Sequence, residues 1–284
     1  DVTDVTGHPE VFDGRVKTLH PAIHAAILAR GDNPDDLATL DELGYPRIDL
    51  VAVNLYPFEE VAAQDPPVSD AELIEMIDIG GPTLVRASAK SHPDVLIVTN
   101  PDDYGGLLES LQEANGDPKA VNIETRQRLA LTAYQRTAAY DVALANTLAN
   151  RLESLEDEAK EILPEKLLVS GGFRNELRYG ENPHHPAAFF PGNTAGAPPS
   201  GLAAAKQHGG KALSFNNYLD LDGALRIARG FLIDTDEKRP HGCVVIKHTN
   251  PCGAAIDATQ VGAWENALAS DPESAFGCVI AFTH

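Results

Sequence analysis

Cysteine is scarce in this 284-residue chain, which has only Cys243, Cys252 and Cys278. An odd count without regular spacing excludes a disulfide framework. A zinc site of the deaminase type is disfavoured as well. Ala255 stands where the second cysteine after Pro251-Cys252 would be needed, and no His-x-Glu motif accompanies that segment. We therefore expect no metal.

Long apolar runs are also missing. No stretch approaches the ~18 consecutive apolar residues that a membrane helix needs, and no charged segment followed by an apolar one opens the chain. The sequence therefore predicts a soluble cytoplasmic protein with no membrane partner.

Positive charge is in short supply, since 22 Lys and Arg face 42 Asp and Glu, giving a formal net charge of −20. A nucleic-acid backbone attracts basic patches, so nucleic-acid binding is excluded as a function. A site for an anionic nucleotide would have to be a local island of positive charge. The candidates for that island are Arg15, Lys17, Lys90, Arg178 and Lys247.

The length favours two domains, because 284 residues exceed one average domain. An acidic stretch over 153–161 followed by Pro164 marks the predicted boundary. We place the first domain at 1–152 and the second at 165–284.

Strands and helices alternate in both halves, which predicts an α/β fold with a parallel sheet in the first domain. In the first half we predict strands at 48–55 and 94–99, and helices at 70–77, 83–91, 101–115 and 122–151. Asp70 is the expected cap of the first of these helices. In the second half we predict strands at 166–170, 243–247 and 278–282, helices at 222–231 and 261–269, and a Pro/Gly-rich loop at 192–201.

The segment Val245–Gly253 carries the clearest chemical signal. An apolar run ends abruptly in Lys247 and His248, followed by an Asn250-Pro251 turn. Ligands of open α/β sheets bind beyond the carboxyl ends of strands, and a cation beside an imidazole suits proton transfer with charge stabilisation. The alternative is a strand that simply ends in solvent.

A second candidate cluster lies near the start of the chain, where Arg15, Lys17 and Thr18 follow one another closely. Arginine offers a planar fork for phosphate, lysine a point charge and threonine a hydroxyl, which together suit a nucleotide monophosphate. The alternative is an ordinary solvated basic loop.

Two further residues sit at predicted element ends. Tyr56 follows a buried strand, and Asp78 comes just before Gly80-Gly81, whose backbone amides open a helix. Such amides are suited to binding an anion or a carbonyl oxygen.

Several segments together resemble one family, the AICAR transformylase/IMP cyclohydrolase enzymes of purine biosynthesis. The matching segments, in the family's order, are Gly14–Pro21, Asn54–Phe58, Ile77–Thr83, Ser88–His92, Leu177–His184, Leu213–Asp222, Val245–Gly253 and Asp271–Gly277. The resemblance implies a methylglyoxal-synthase-like parallel-sheet domain, truncated at its N-terminus, followed by a partial cytidine-deaminase-like α/β domain. It also implies an internal fragment that lacks both ends of the family's chain.

The resemblance assigns roles in the first domain, where FAICAR is cyclised to IMP with loss of water. It implies that Lys90 transfers the proton, that Lys17 and Tyr56 face the developing oxygen charge, and that Asp78 orients the carboxamide. The implied substrate contacts are Arg15, Thr18, Asn54 and Gly80.

In the second domain the resemblance implies formyl transfer from the co-substrate 10-formyltetrahydrofolate to AICAR. His248 is the implied base and Lys247 the charge stabiliser. The implied substrate contacts are Arg178, Tyr179, Asn217, Phe276 and Gly277. Two positions depart from the family's pattern, with His185 in place of Gln and Cys278 in place of Gly.

The expected partners are AICAR, FAICAR and IMP, with a homodimer in the full-length form. The alternative function is a catalytically incompetent fragment that binds nucleotide or serves in assembly. We expect such a fragment to bind AICAR or IMP weakly, with little turnover.

Overall fold

The computed structural model describes residues 1–153, 168–172, 175–192, 200–232 and 240–283. These residues form two compact units, the first extending to Ser170 and the second beginning at Gly171. Most of the predicted boundary segment after Glu153 lies outside the described residues, so the domain limits stay a prediction. Among the helices that are described, none has the length and apolar character needed to cross a membrane.

The first unit is mainly helical around one pair of strands. Its elements are α1 (Val2–Thr6), α2 (Pro21–Leu28), α3 (Pro34–Leu43), β1 (Leu50–Ala52), α4 (Phe58–Ala62), α5 (Asp70–Glu75), α6 (Gly80–Lys90), β2 (Leu96–Val98), α7 (Tyr104–Glu113) and α8 (Ile123–Glu153), with 3₁₀ turns at Pro101–Asp103 and Pro118–Ala120.

Strands β1 and β2 pair in parallel, with Leu50 opposite Leu96 and Ala52 opposite Val98. The predicted parallel sheet is therefore present, although both strands are shorter than predicted. The apolar residues that follow β1 are not part of the strand. Leu55 and Phe58 are buried in the core without extending the hydrogen-bonded pairing of β1 and β2.

Helix α8 is the main support of this core. Ala133 and Tyr140 on α8 are fully buried with Val85 of α6 and Leu96 of β2. Its predicted start was correct to one residue, because the Asn122 side chain accepts the Glu124 amide at 2.8 Å.

Two helix starts differ from the prediction. Helix α5 is capped by Ser69, whose hydroxyl accepts the Glu72 amide while Glu72 accepts the Ser69 amide, so Asp70 is not the cap. Helix α6 begins at Gly80, three residues before its predicted start, because Pro82 is tolerated in a first turn that makes no intrahelical N–H bond there.

The second unit contains β3 (Asn175–Glu176), β4 (Ala188–Phe189), α9 (Phe215–Gly230), β5 (His241–Lys247), β6 (Asn250–Asp257), α10 (Gln260–Ser270) and β7 (Val279–Phe282), with a 3₁₀ turn at Gly201–Ala204. The strand predicted at 166–170 is not found at 168–170, and its first two residues lie outside the described part. The predicted loop at 192–201 also lies mostly outside it.

The sheet of this unit is antiparallel in the order β6-β5-β7. Strand β6 was not predicted, because an Asn-Pro pair such as Asn250-Pro251 usually marks the end of a strand. Proline is tolerated here because β6 is an edge strand and the register shifts between Val245 and Ile246, next to the proline's partner Ile246.

Strand β5 is buried on both faces. Val244 and Ile246 pack against Ala224 and Ala228 of α9. On the opposite face, Cys243 and Val245 pack against Ala263 and Ala267 of α10. The continuous apolar run is therefore typical of a strand covered by helices on both sides.

Helix α9 begins at Phe215, seven residues earlier than predicted. Ser214 and Asn217 form a capping box, in which the Ser214 hydroxyl accepts the Asn217 amide at 3.4 Å and Asn217 Oδ1 accepts the Ser214 amide at 3.0 Å. This cap was the available sequence signal for the earlier start.

Candidate functional site

A cavity of about 510 Å³ opens in the first unit where α5, the start of α6 and residues 13–19 meet. Six of the residues predicted for this site line it: Arg15, Lys17, Thr18, Tyr56, Asp78 and Gly80. Gly81, whose amide was predicted to face a ligand, lines it as well. The remaining lining residues were not predicted: Asp13, Gly14, Leu19, Ile74, Glu75, Ile77, Ile79 and Leu84.

The Asp78 carboxylate is fixed by backbone amides. Its Oδ1 accepts the Gly81 N–H at 2.7 Å, and its Oδ2 accepts the Tyr56 N–H at 3.3 Å. A Cβ atom on Gly81 would overlap this carboxylate. Asp78 thus joins the segment after β1 to the start of α6, and the Gly81 amide that we expected to face a ligand is already engaged.

A close approach joins Gly80 to the basic segment. A Cβ atom placed on Gly80 would come within 2.9 Å of Thr18 Oγ1, so the backbone there packs directly against the threonine hydroxyl. The absence of a side chain at Gly80 lets residues 14–18 lie against the amino end of α6.

Both cations of the cavity face carboxylates. Lys17 Nζ lies 2.8 Å from Glu10 Oε2, and Arg15 pairs with Glu75. The hydrogen bond and the charge of Glu10 raise the pKa of Lys17, with a smaller contribution from Tyr56, and Glu75 raises the pKa of Arg15 in the same way. Lys17 is therefore a protonated group close to Tyr56.

Two predicted residues of this domain do not line the cavity. Lys90 ends α6, about 15 Å along the helix axis from Gly80 at 1.5 Å per residue, and Asn54 is exposed after β1. The five candidate cations are divided between the two units. Arg15 and Lys17 share the cavity with carboxylates, whereas Arg178 and Lys247 belong to the second unit.

Tyr140 is a contact of this site that sequence reasoning did not identify. Its hydroxyl accepts the Asp78 N–H at 2.9 Å and donates to the Met76 carbonyl at 3.2 Å. The sequence signal was only a tyrosine on the apolar face of a long helix, which is typical of core packing.

In the second unit, the candidate residues lie around the turn between β5 and β6. Lys247 pairs with Asn250, so the turn consists of His248 and Thr249 alone. Both have left-handed backbones, with φ of 55° and 65°. Two consecutive positive φ angles define a type I′ hairpin turn. Lys247 ends the regular strand and His248 leaves it, as their predicted cooperation requires.

Asp220 of α9 anchors this turn and was not assigned a role from the sequence. Its Oδ1 accepts the Thr249 N–H at 2.7 Å. Gly223, one turn later on α9, lies close enough that an added Cβ would be 3.5 Å from the Thr249 carbonyl oxygen. Helix α9 therefore determines where His248 is held.

The segment carrying Phe276 and Gly277 reaches the same end of the sheet. Val279 at the start of β7 pairs with Ile246 near the end of β5. Phe276 is 89% exposed, so its ring contributes nothing to the core and is available to a ligand.

Charge links Lys247 to this segment. The pKa of the Asp271 carboxyl is lowered mainly by hydrogen bonds to the side chain and backbone of Ser274, with a smaller contribution from the Lys247 charge. Lys247 thus lies near the loop that leads to Phe276.

Arg178 and Tyr179 lie beside the start of α9. The Arg178 guanidinium stacks 4.7 Å from the Tyr179 ring centre and donates to its hydroxyl at 3.0 Å. The Tyr179 carbonyl accepts the Phe215 amide at 3.0 Å. Asn217 lies one turn along, where its Oδ1 is occupied by the capping box, leaving its amide group as the part suited to a ligand.

Among the described residues, no group of three or more His, Cys, Asp or Glu side chains is arranged to hold a metal ion.

Comparisons with known proteins give a consistent result. The family described as "AICARFT/IMPCHase bienzyme" matches residues 88–284. The chain is similar to the "Bifunctional purine biosynthesis protein PurH" of Sinorhizobium fredii, with 45% identity over 283 residues, covering 99% of this chain and 48% of that protein. The protein of the same name from Persephonella marina is 42% identical over 284 residues, covering 99% of this chain and 51% of that protein.

Among solved structures, the chain is similar to the "Crystal structure of ForH", with 38% identity and a TM-score of 0.45, covering 52% of this chain and 74% of that one. The chain thus spans about half the length of the curated relatives that it matches.

Proposed function

The chain belongs to the AICARFT/IMPCHase bienzyme family, and from this premise we propose that it forms part of an enzyme of purine biosynthesis. The proposed reactions are formyl transfer from 10-formyltetrahydrofolate to AICAR and cyclisation of FAICAR to IMP with loss of water. The observation that carries the proposal is the cavity that brings six predicted residues together in the first unit.

Ring closure requires attack of a carboxamide nitrogen on a formyl carbon, with charge developing on the formyl oxygen. Lys17 stays protonated beside Tyr56, so the pair is suited to stabilising that oxygen. Asp78 is held at a fixed position by two amides and is suited to orienting the carboxamide. Arg15 and Thr18 are the proposed phosphate and nucleotide contacts.

Lys90 and Asn54 do not line the cavity. We keep Lys90 as the proposed proton-transfer residue on the basis of its match to the family's motif. Its place at the far end of α6 requires that substrate or another chain segment reach it.

Formyl transfer has a poor nucleophile, because the amine's electron pair is delocalised into the nucleotide ring. A base must take the amine proton as the bond forms, and a cation must meet the oxyanion. His248 on the exposed turn is the proposed base, and Lys247 at the strand end is the proposed cation. Arg178, Tyr179, Asn217, Phe276 and Gly277 are the proposed substrate contacts around them.

For the architecture we propose a methylglyoxal-synthase-like first domain and a cytidine-deaminase-like second domain. The parallel β1–β2 pair in the first unit and the helix-covered sheet in the second are compatible with this assignment. We also propose a cytoplasmic homodimer as the full-length form.

The test is a calorimetric titration of the chain with IMP, combined with FAICAR cyclisation and formyl-transfer assays. Arg15→Ala should weaken IMP binding about 10–100-fold, since a charge-assisted hydrogen bond contributes ~1.5–3 kcal/mol. Arg30→Ala is the matched control, because Arg30 also pairs with a carboxylate, Asp36, but does not line the cavity.

Three results are informative. Absence of IMP binding, or equal effects of the two substitutions, would refute the cavity as a nucleotide site. Binding without turnover would favour the alternative of a nucleotide-binding fragment. Turnover with the expected mutant effect would support the enzyme.

A further inference from the structure

Helix α8 contributes a fully buried tyrosine to the candidate site. The Tyr140 side chain has no exposed surface, and its hydroxyl lies between the Asp78 amide and the Met76 carbonyl at 2.9 and 3.2 Å. Burial is the main cause that raises the pKa of Tyr140, so the hydroxyl stays protonated and can donate to Met76 while accepting from Asp78.

The same face of α8 also contacts the segment that follows Tyr56. Arg136, one turn before Tyr140, donates to Glu59 at 2.6 Å, and its guanidinium lies 5.7 Å from the Tyr140 ring centre. The Tyr140 ring also packs edge-on against Phe58 at 6.1 Å. Phe58 and Glu59 follow Tyr56 closely in the chain.

Two segments that carry candidate catalytic residues are therefore held by one pair of side chains. The segment 56–59 contacts Arg136 and the Tyr140 ring, whereas the segment 76–78 contacts the Tyr140 hydroxyl. The two segments also meet directly, because the Tyr56 N–H donates to Asp78.

We propose that Tyr140 and Arg136 are positioning residues that fix Tyr56 and Asp78 relative to each other for ring closure. This inference rests on the proposed function. It gives α8, which the sequence indicates as a packing helix, a direct part in setting the geometry of the site.

The physical reason is the cost of leaving buried polar groups unpaired. Tyr140→Phe keeps the ring and its contact with Phe58, but leaves the Asp78 N–H and the Met76 carbonyl without their partner. The turn that carries Asp78 must then shift or admit water. Displacements of about 1 Å in a catalytic arrangement can lower turnover by ~100-fold.

The experiment measures FAICAR cyclisation in the longest form of the protein that its gene encodes. Tyr140→Phe should lower kcat by about 10-fold or more. The matched control is Thr137→Val, which also removes a buried α8 hydroxyl, one that donates only to the Tyr134 carbonyl of the same helix. Thr137→Val should leave kcat within about two-fold.

A double-mutant cycle separates positioning from general destabilisation. If Tyr140 acts through Asp78, Tyr140→Phe should cause little further loss in an Asp78→Asn background. A purely structural role predicts the same fractional loss in both backgrounds, and that result would refute the proposal.

Hydrogen exchange provides a test that does not depend on activity. The Asp78 amide should lose protection by about 10-fold or more in Tyr140→Phe and keep it in Thr137→Val. Unchanged exchange would overturn the positioning role even if activity fell. If the unsubstituted protein neither binds IMP nor cyclises FAICAR, the proposed function fails, and the exchange result alone then decides whether Tyr140 fixes Asp78.

Discussion

The two-residue turn at His248 and Thr249 should be strained, and replacing Thr249 with glycine should relieve that strain. Both residues have positive φ angles, at 55° and 65°. A left-handed backbone is uncommon for residues other than glycine, and it is a genuine outlier for a β-branched one such as threonine. Thr249→Gly is therefore expected to stabilise the second unit.

The magnitude follows from two opposing terms. The left-handed conformation costs a residue with a Cβ about 1–2 kcal/mol, whereas glycine loses extra conformational freedom worth about 0.5–1 kcal/mol. The amide that donates to Asp220 is retained, and the lost hydroxyl contact to the His248 carbonyl is exposed. We expect a net gain of roughly 0.5–1 kcal/mol in the free energy of unfolding.

Urea unfolding followed by tryptophan fluorescence is a suitable assay. The chain has a single tryptophan, Trp264 on α10, which packs in the cluster beneath β5 and therefore reports on the second unit. Asn115→Gly, assayed by circular dichroism, is the control, because Asn115 has φ of 54° in the first unit but asparagine tolerates that region. A destabilising Thr249→Gly would refute the argument that the turn is strained.

The same logic separates stability from function at His248. His248→Gly should change the stability of the unit little, because histidine tolerates positive φ better than threonine does. It should remove most of the formyl-transfer rate, because a base acts mainly in the transition state. If Lys247 and His248 serve one transition state, their individual losses should not add. Simply additive losses would show that the two residues act independently, and a loss confined to KM would make His248 a binding group.

Four other substitutions test different parts of the structure. Gly253→Ala should destabilise the protein by ~1–3 kcal/mol in urea unfolding, because the added methyl group would overlap a backbone carbonyl of α10. Gly105→Ala is the control: the space around Gly105 is open, so this substitution should stabilise the protein by up to ~1 kcal/mol. Lys90→Ala should lower ring closure by ~10²–10⁴ while sparing formyl transfer; equal losses of both would indicate a folding defect. Arg30 lowers the pKa of Asp36 to about 2, so the stability difference between wild type and Asp36→Asn should be full above pH ~4 and vanish as pH falls towards 2 in acid titrations.

The fold was largely predictable where local patterns and tertiary packing agree. The run before Lys247 indicated a buried strand, and β5 is buried between helices on both faces. Strand β6 was missed because proline usually ends a strand. A proline is tolerated at Pro251 because β6 lies at the edge of the sheet. No local sequence pattern reveals that a strand will be an edge strand.

The candidate site was predictable in its residue types but not in its connections. Arg15, Lys17 and Thr18 were recognised as a basic cluster, and the structure places them on one cavity. Their carboxylate partners were not foreseen, because Glu75 lies 60 residues from Arg15 in the chain. A contact between residues so far apart in the chain arises from tertiary packing, which places α5 beside the cavity, and not from sequence spacing.

The two candidate sites use different means to hold their reactive groups. In the first unit, Asp78 is fixed by backbone amides and by a buried hydroxyl from α8, so its position depends on the core. In the second unit, His248 lies on an exposed turn, which is held to α9 by the hydrogen bond from the Thr249 N–H to Asp220. Fewer buried contacts allow local opening at lower free energy. We therefore expect rising urea to abolish activity at the first site only as the whole unit unfolds. The second should respond to changes at Asp220 that leave global stability nearly unchanged.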